Sequence, residues 1–199
     1  IQIASWFSSR ATEKALMKGF HISAIVAILA TLAFTPAYAA DTGKSDSSKT
    51  SSADQKFAKK AATDNLAEIA LADLAKNQAS QDTVKKYAQE LGDDHQQANE
   101  KLKSIASQKG IDLPTAPDSK HKSEHDKLAK RQGADFDKAF VDAMVKDHKN
   151  TVKEFEKEAK DGKDPELKQF ASSMLPGLRK HLQEAQQLQA STKAAERKS

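Results

Sequence analysis

Three histidines interrupt the apolar faces of three different predicted helices, and imidazole nitrogen is a ligand that first-row transition metals accept. They are His95, His148 and His181, and Glu68 lies near an equivalent face of a fourth predicted helix. Antiparallel neighbours place residues at the same height when both are equidistant from the connecting turn. Glu68 and His95 are equidistant from a break at residues 80–82, and the other two histidines from an Asp-Pro turn. The spacing therefore predicts four side chains at one level, within one helical turn of ~5 Å.

Two main interpretations of this cluster stay open, with a pocket for another small ligand as a third. Imidazole-rich sites suit zinc, copper, nickel or iron, so the four residues form a candidate metal site that does not name its ion. Alternatively, they form a buried polar layer that fixes the register of the helices. A carboxylate-bridged di-iron centre is not indicated, because it requires two Glu-x-x-His motifs that this sequence lacks.

Other residues could support or extend such chemistry. Asp94 and Asp147 each precede one of the histidines, and they either orient imidazoles or lie at the surface. His121 and His125 are four residues apart and could clip a metal on a helix, but their charged surroundings predict a solvated pair. No nucleophile triad, phosphate loop or glycine-rich fingerprint is visible in the sequence, so the expectation is a binding protein rather than an enzyme.

Four amphipathic helices must position these residues. Apolar residues recur at three- to five-residue steps, and Gly, Pro and Asp mark the breaks. Asp54 is the expected N-cap of the first helix, Gly110 the stop of the second, and Asp164 the cap of the fourth. The pattern predicts an all-α protein, an antiparallel four-helix bundle, with long helices over about 54–79, 82–109, 135–161 and 165–190 and a short helix over 123–132.

Composition excludes several classes of function. The 199 residues contain no Cys, which rules out disulfides, thiolate metal sites and cysteine nucleophiles. The formal charge is +4, and +2 remains without residues 1–39, which carry three basic residues and one acidic residue. Acidic and basic residues alternate along the helices, which is typical of solvated faces, so no specific nucleic-acid binding is expected. The sequence identifies no protein partner.

The N-terminal region has the features of an export signal. A short basic segment from Met17 precedes an apolar run of thirteen residues from Ile22 to Phe34, which ends before Ala37-Tyr-Ala. As a helix this run reaches about 20 Å, too short for a bilayer core of about 30 Å. We expect a spurious extension at 1–16, a signal peptide at 17–39, a flexible linker at 40–53, the bundle at 54–190 and a polar tail at 191–199.

Several motifs together resemble the exported bacterial ferritin-like family catalogued as domain of unknown function 4142. The resemblance covers about residues 54–190 and rests on Leu66-Ala-Glu68-Ile-Ala-Leu, Tyr87-Ala-Gln-Glu-Leu-Gly-Asp-Asp94-His95, Phe136-Asp-x-x-Phe140-Val-x-x-Met144-Val-x-Asp147-His148 and Leu175-Pro176-x-Leu-x-x-His181-Leu. Leu91 and Gly92 stand where this family usually has Met-Val. The resemblance implies a ferritin-like four-helix bundle in the bacterial envelope, with the three histidines and Glu68 at characteristic positions, and it implies no established activity.

The leading hypothesis is an exported, periplasmic or envelope protein that holds a metal ion inside the bundle, in binding or stress protection. The alternative is a non-enzymatic structural or interaction protein whose polar layer is structural. A metal-dependent oxidoreductase ranks third. After removal of the signal, no transmembrane span is expected.

Export provides the first testable prediction. When the chain is expressed from Met17 with its own signal, the exported protein should begin at Ala40, because signal peptidase cleaves after a small-x-small pattern. Intact-mass spectrometry of the periplasmic fraction measures this. Retention of residues 17–39 in the exported protein would contradict it.

Overall fold

The computed structural model describes residues 50–196, which form five α-helices and no strand. The helices are α1 (Ser52–Gln78), α2 (Asp82–Lys109), α3 (Ser119–Ala129), α4 (Gly133–Asp161) and α5 (Pro165–Glu196). The predicted extension, the signal peptide and residues 40–49 of the predicted linker lie outside the described residues. Between residues 50 and 196, no helix combines the length and apolar character needed to cross a membrane.

The ends of the helices follow from the groups that satisfy their backbone. The side chain of Ser51 accepts a hydrogen bond from the backbone N–H of Asp54, so the N-cap of α1 is Ser51 and the prediction of Asp54 was wrong. Gly110 ends α2 at a φ of 64°, a left-handed conformation that glycine adopts without steric strain. Asp164 caps α5 as predicted, since its Oδ1 accepts from the N–H groups two and three residues later.

Two boundaries differ from the prediction. The short helix was expected over 123–132 with Gly133 as its end, but α3 begins four residues earlier, because the Asp118 side chain caps it by accepting from the His121 N–H. Gly133, at a φ of 58°, instead opens α4. At the other end of the domain, α5 continues to Glu196 rather than to about 190, over a segment rich in good helix formers.

The four long helices pack as a ring around a shared interior. The hairpin partners α1 and α2 pack along each other, as do α4 and α5, and the hairpins meet where α2 contacts α5 and α1 contacts α4. The short α3 lies against α1 and α4. Each long helix therefore presents one face to the interior, and residues at equal heights on different helices can meet there.

The interior consists of two apolar clusters with a polar level between them. On α2, for example, His95 lies between Leu91 of the first cluster and Leu102 of the second. The first cluster includes Leu71, Val84, Leu91, Phe136, Phe140 and Met144, and the second includes Phe57, Leu102, Phe155, Leu167 and Phe170. The polar level is therefore enclosed by hydrophobic packing above and below.

One buried aspartate ties the first turn to the second hairpin. Asp137, on α4, is completely buried. Its Oδ1 accepts from the backbone N–H of Ser80 at 2.9 Å, and its Oδ2 accepts from the N–H of Gln81 at 2.9 Å and the hydroxyl of Ser80 at 2.6 Å. The α1–α2 turn is thus held by a carboxylate of α4.

A second buried aspartate, on the first hairpin, holds the turn of the second hairpin at the other end of the domain. Asp54, on α1 and 1% exposed, accepts from the backbone N–H groups of Lys163 at 3.1 Å and Asp164 at 2.9 Å, in the α4–α5 turn. Each hairpin therefore supplies a carboxylate that satisfies the turn of the other. The two contacts fix the height of one hairpin against the other.

Removal of the Asp137 carboxylate should destabilise the fold strongly. Asp137→Ala removes the carboxylate that accepts from the backbone N–H groups of Ser80 and Gln81 and leaves a gap at a completely buried position. We therefore expect a loss of about 2–4 kcal/mol in the free energy of unfolding. Urea unfolding followed by circular dichroism measures it. Asp135→Ala is the control, since Asp135 is exposed on the first turn of the same helix and should change stability by about 0.5 kcal/mol or less.

Candidate metal centre

The three histidines of the sequence pattern meet in the polar level between the apolar clusters. His95 comes from α2, His148 from α4 and His181 from α5, and their exposed fractions are 5%, 1% and 2%. One ligand atom from each lies within 4.8 Å of those of the other two. The ring centroids are 5.4–5.6 Å apart. We call these residues the histidine triad.

Each imidazole of the triad is oriented by a hydrogen bond from one of its two ring nitrogens. The partners are the side-chain Oδ1 of Asn65 for His95 Nδ1 at 2.9 Å, the backbone oxygen of Met144 for His148 Nδ1 at 3.1 Å, and Oδ2 of Asp94 for His181 Nε2 at 2.9 Å. Because all three partners are oxygens that only accept, the bonded nitrogen carries the proton in each neutral ring. The other nitrogen then holds a free lone pair.

These remaining nitrogens have no hydrogen-bond partner among the described residues. They are Nε2 of His95, Nε2 of His148 and Nδ1 of His181, and all three are buried. Three buried acceptors without a donor are unfavourable in a packed interior. A metal ion satisfies this arrangement, since protein imidazoles that bind metals present one nitrogen to the ion and donate from the other to an oxygen.

The surroundings keep the triad neutral. Burial lowers the pKa of His95 well below its ordinary value, and the neighbouring His148 and His181 lower it further. The pKa of His148 falls to about 3, mainly through burial and through His181, against a raising effect of the Met144 carbonyl. Burial also lowers the pKa of His181, although the hydrogen bond to Asp94 opposes it. Neutral imidazole is the form that binds metals.

Glu68 lies beside the triad without joining it. Its Oε1 is 3.9 Å from Nδ1 of His148, which is the nitrogen already bonded to the Met144 carbonyl. Glu68 contributes no atom to the group of ligand atoms that lie within 4.8 Å of one another. Burial, reinforced by the charge of Asp147, raises the pKa of Glu68 well above 4.5. Its Oε2 has no hydrogen-bond partner among the described residues.

The structure also places the other residues that the sequence suggested. Asp94 orients an imidazole, but that of His181 on α5 rather than that of its neighbour His95. Asp147 is half-buried, and among the described residues no hydrogen bond joins it to the triad. His121, on α3, bonds to Asp118 at 2.9 Å, away from the triad.

Sequence reasoning missed Asn65 and the backbone oxygen of Met144. A signal for Asn65 existed, because it continues the spacing of the buried stripe on α1, Ala61, Asn65, Glu68 and Ala72, as a polar residue at an interior position. No signal marks a backbone carbonyl, since every residue has one.

The chain belongs to the family described as a domain of unknown function, DUF4142, which matches residues 39–188. No curated protein matches the sequence. Among solved structures, a DUF305 fragment from Deinococcus radiodurans is similar, with a TM-score of 0.64 and 13% identity over 71% of this chain and 98% of that one.

Two structures of CopM are also similar. The Cu(I)-bound form has a TM-score of 0.57 and covers 67% of this chain and 93% of its own. The Cu(II)-bound form has a TM-score of 0.60 and covers 69% and 96%. Each is 19% identical to this chain, an identity at which the likeness concerns the helical fold alone.

The buried triad should make the metal-free protein acid-sensitive. An unfolded histidine takes up a proton near pH 6.5, whereas folded His148 does so only at about 3. Its stabilising effect is therefore complete above pH 6.5 and is lost as pH falls toward the folded pKa. Between pH 7 and pH 4.5, His148→Leu should lose roughly 2–3 kcal/mol less stability than the wild type.

Urea unfolding at the two pH values, with a chelator present, measures this difference. His125→Leu, a change on α3 outside the triad, is the control and should keep the acid sensitivity of the wild type. Equal acid-induced losses in the wild type and in His148→Leu would refute the prediction.

Proposed function

We propose that this protein binds a transition-metal ion inside its helical domain through the imidazole nitrogens of the histidine triad. The observation that carries the proposal is the set of three buried nitrogens without hydrogen-bond partners, each opposite a nitrogen that an oxygen has oriented. Zn–N bonds in proteins measure about 2.0–2.1 Å. Two nitrogens on one tetrahedral ion therefore lie about 3.3 Å apart, so separations of up to 4.8 Å have to close by up to about 1.5 Å when the ion binds.

A purely structural polar layer fits the contacts less well. Such a layer stabilises a core when every member is paired, and a partly satisfied layer is worse than an apolar core. Here one nitrogen of each imidazole is hydrogen-bonded to an oxygen, and the other nitrogen has no donor among the described residues. The structural reading therefore needs an unpaired nitrogen on all three rings, whereas one metal ion satisfies all three.

The choice of ion rests on chemistry and on the solved relatives. Three imidazoles suit zinc, copper, nickel and iron. CopM has been solved with Cu(I) and with Cu(II) on a similar fold, so copper is the first ion to test. Glu68 lies beside His148 but outside the group of three histidines, so we do not count it among the proposed ligands.

The proposal also includes the cellular location of the protein. We place the protein in the cell envelope, exported by the segment at 17–39, as a ferritin-like antiparallel four-helix bundle that binds metal in storage or protection. The ring of four long helices and the short apolar run of the N-terminal segment support this placement.

Metal should stabilise the native protein. An ion that binds only the folded state adds about 2.7 kcal/mol of stability at a hundredfold excess over its dissociation constant. We expect Cu²⁺, Zn²⁺ or Fe²⁺ to raise the melting temperature and a chelator to reverse the rise. His148→Leu should abolish this metal-dependent part, while His125→Leu should retain it.

The measurement is a set of melting curves of untagged wild type and both variants, with chelator and with each metal, paired with metal analysis of the purified protein. Indifference of the wild type to every metal would remove the proposal and leave the structural layer. Equal stabilisation of the wild type and His148→Leu would place the metal elsewhere.

A further inference from the structure

A cavity of about 200 Å³ lies between α2 and α5 on one side of the histidine triad. Two triad members, His95 and His181, form part of its wall, together with Asn65 and Asp94, which orient them. The third member, His148, is not part of the lining. The cavity therefore borders two of the three triad members.

The wall of this cavity runs from the surface to the buried imidazoles. Gln97, Lys101 and Ser173 are exposed lining residues, whereas His95 and His181 are buried. Ala98 on α2, with only a methyl group, and Gly177 on α5, with no side chain, also line the cavity and are intermediate in exposure. A small molecule can thus pass from solvent toward the triad along a path that the fold keeps open with small residues.

The volume limits what the cavity can accept. Pockets for drug-sized organic ligands measure about 300–1,000 Å³, and a water molecule takes about 30 Å³ of liquid. A cavity of about 200 Å³ holds a ligand of a few heavy atoms with some water. An organic substrate of ordinary size does not fit beside the triad.

Charge favours a small anion among ligands of that size. The three imidazoles are neutral, so a divalent ion on the triad keeps its whole charge, and bound cations are usually the largest charges in their sites. Glu68 does not offset this charge from within the ligand set. The Asp94 carboxylate at the wall offsets part of this charge, whereas Lys101 adds a positive group near the mouth.

We propose that this cavity delivers a small inorganic anion to an open coordination position on the triad-bound metal. Three protein ligands with one open position are the arrangement of metal sites that accept an exogenous ligand, whereas closed structural sites have four. The cavity supplies the route, the small residues supply the clearance, and the positive charge of the ion supplies the attraction. This inference rests on the proposed function, because it requires a metal on the triad.

Azide is a suitable probe, because it is a linear monoanion that gives a charge-transfer absorption band when it binds Cu²⁺. The experiment titrates azide into Cu²⁺-loaded full-length domain, residues 40–199, and follows that band. The obstructing variant is Gly177→Leu, because a Cβ at Gly177 meets no atom within 4 Å and a larger side chain can extend into the cavity. Gly177→Ala is the matched control, with the same backbone change and little added volume.

We expect wild type and Gly177→Ala to bind azide alike, and Gly177→Leu to bind it about tenfold more weakly or worse with unchanged copper stoichiometry. Ala98→Leu, which obstructs the cavity from α2, should give the same loss and replaces Gly177→Leu should that variant not fold. Full copper loading of the wild type with a spectrum that azide leaves unchanged would overturn the cavity proposal alone. Equal azide affinity in all variants would also overturn it. Failure of the wild type to load copper, zinc or iron would overturn the proposed function and this inference with it.

Discussion

The register between the two helical hairpins is the constraint on which the rest of the structure depends. Side chains from α2, α4 and α5 meet at one height only when the hairpins do not slide, and a slide of one residue moves a helix by about 1.5 Å. Asp137 and Asp54, one near each end, prevent that movement because each satisfies backbone N–H groups in the opposite turn. Apart from the Ser80 hydroxyl, the donors are backbone N–H groups, so the register depends little on the identity of the turn residues.

The polar level is the part of the interior that is not hydrophobic, and the two apolar clusters enclose it. Buried imidazoles contribute less to hydrophobic stabilisation than leucines of similar size would, and each unpaired nitrogen adds a desolvation penalty. The hydrophobic packing of the two clusters, which include Phe140 and Phe155, offsets this penalty. Proteins commonly accept such local conflicts where a site requires them. A fold held mainly by the clusters can therefore carry a level of side chains selected for chemistry.

Much of this arrangement follows from sequence alone, and the remainder has identifiable causes. Periodicity and turn residues predict four long helices, and equal distances from the turns predict that the histidines share a level. Height is a one-dimensional property that residue counting measures well. Residue counting does not give the rotation of a helix about its axis or the direction of a side chain. These two properties determine that Asp94 bonds to His181, that Asn65 bonds to His95 and that Glu68 lies outside the group of three histidines.

The boundary errors have the same origin, because capping depends on which side chain turns back to the backbone. Ser51 does so where Asp54 was expected, and this frees the Asp54 carboxylate to reach the α4–α5 turn. Two acidic residues early in helices thus have tertiary partners rather than local ones. Propensity rules describe the local choice and contain no information on the distant one.

The reciprocal aspartates also reveal that the two hairpins are equivalent halves. Each carboxylate lies 83 positions from its counterpart, and so do the turn residues that donate to them. The same interval relates Asn65 to His148, so corresponding sites in the halves hold an amide and an imidazole. The two hairpins therefore share their turn contacts and differ in the side chains of the polar level. One half therefore contributes two imidazoles and the other contributes one together with the amide that orients it.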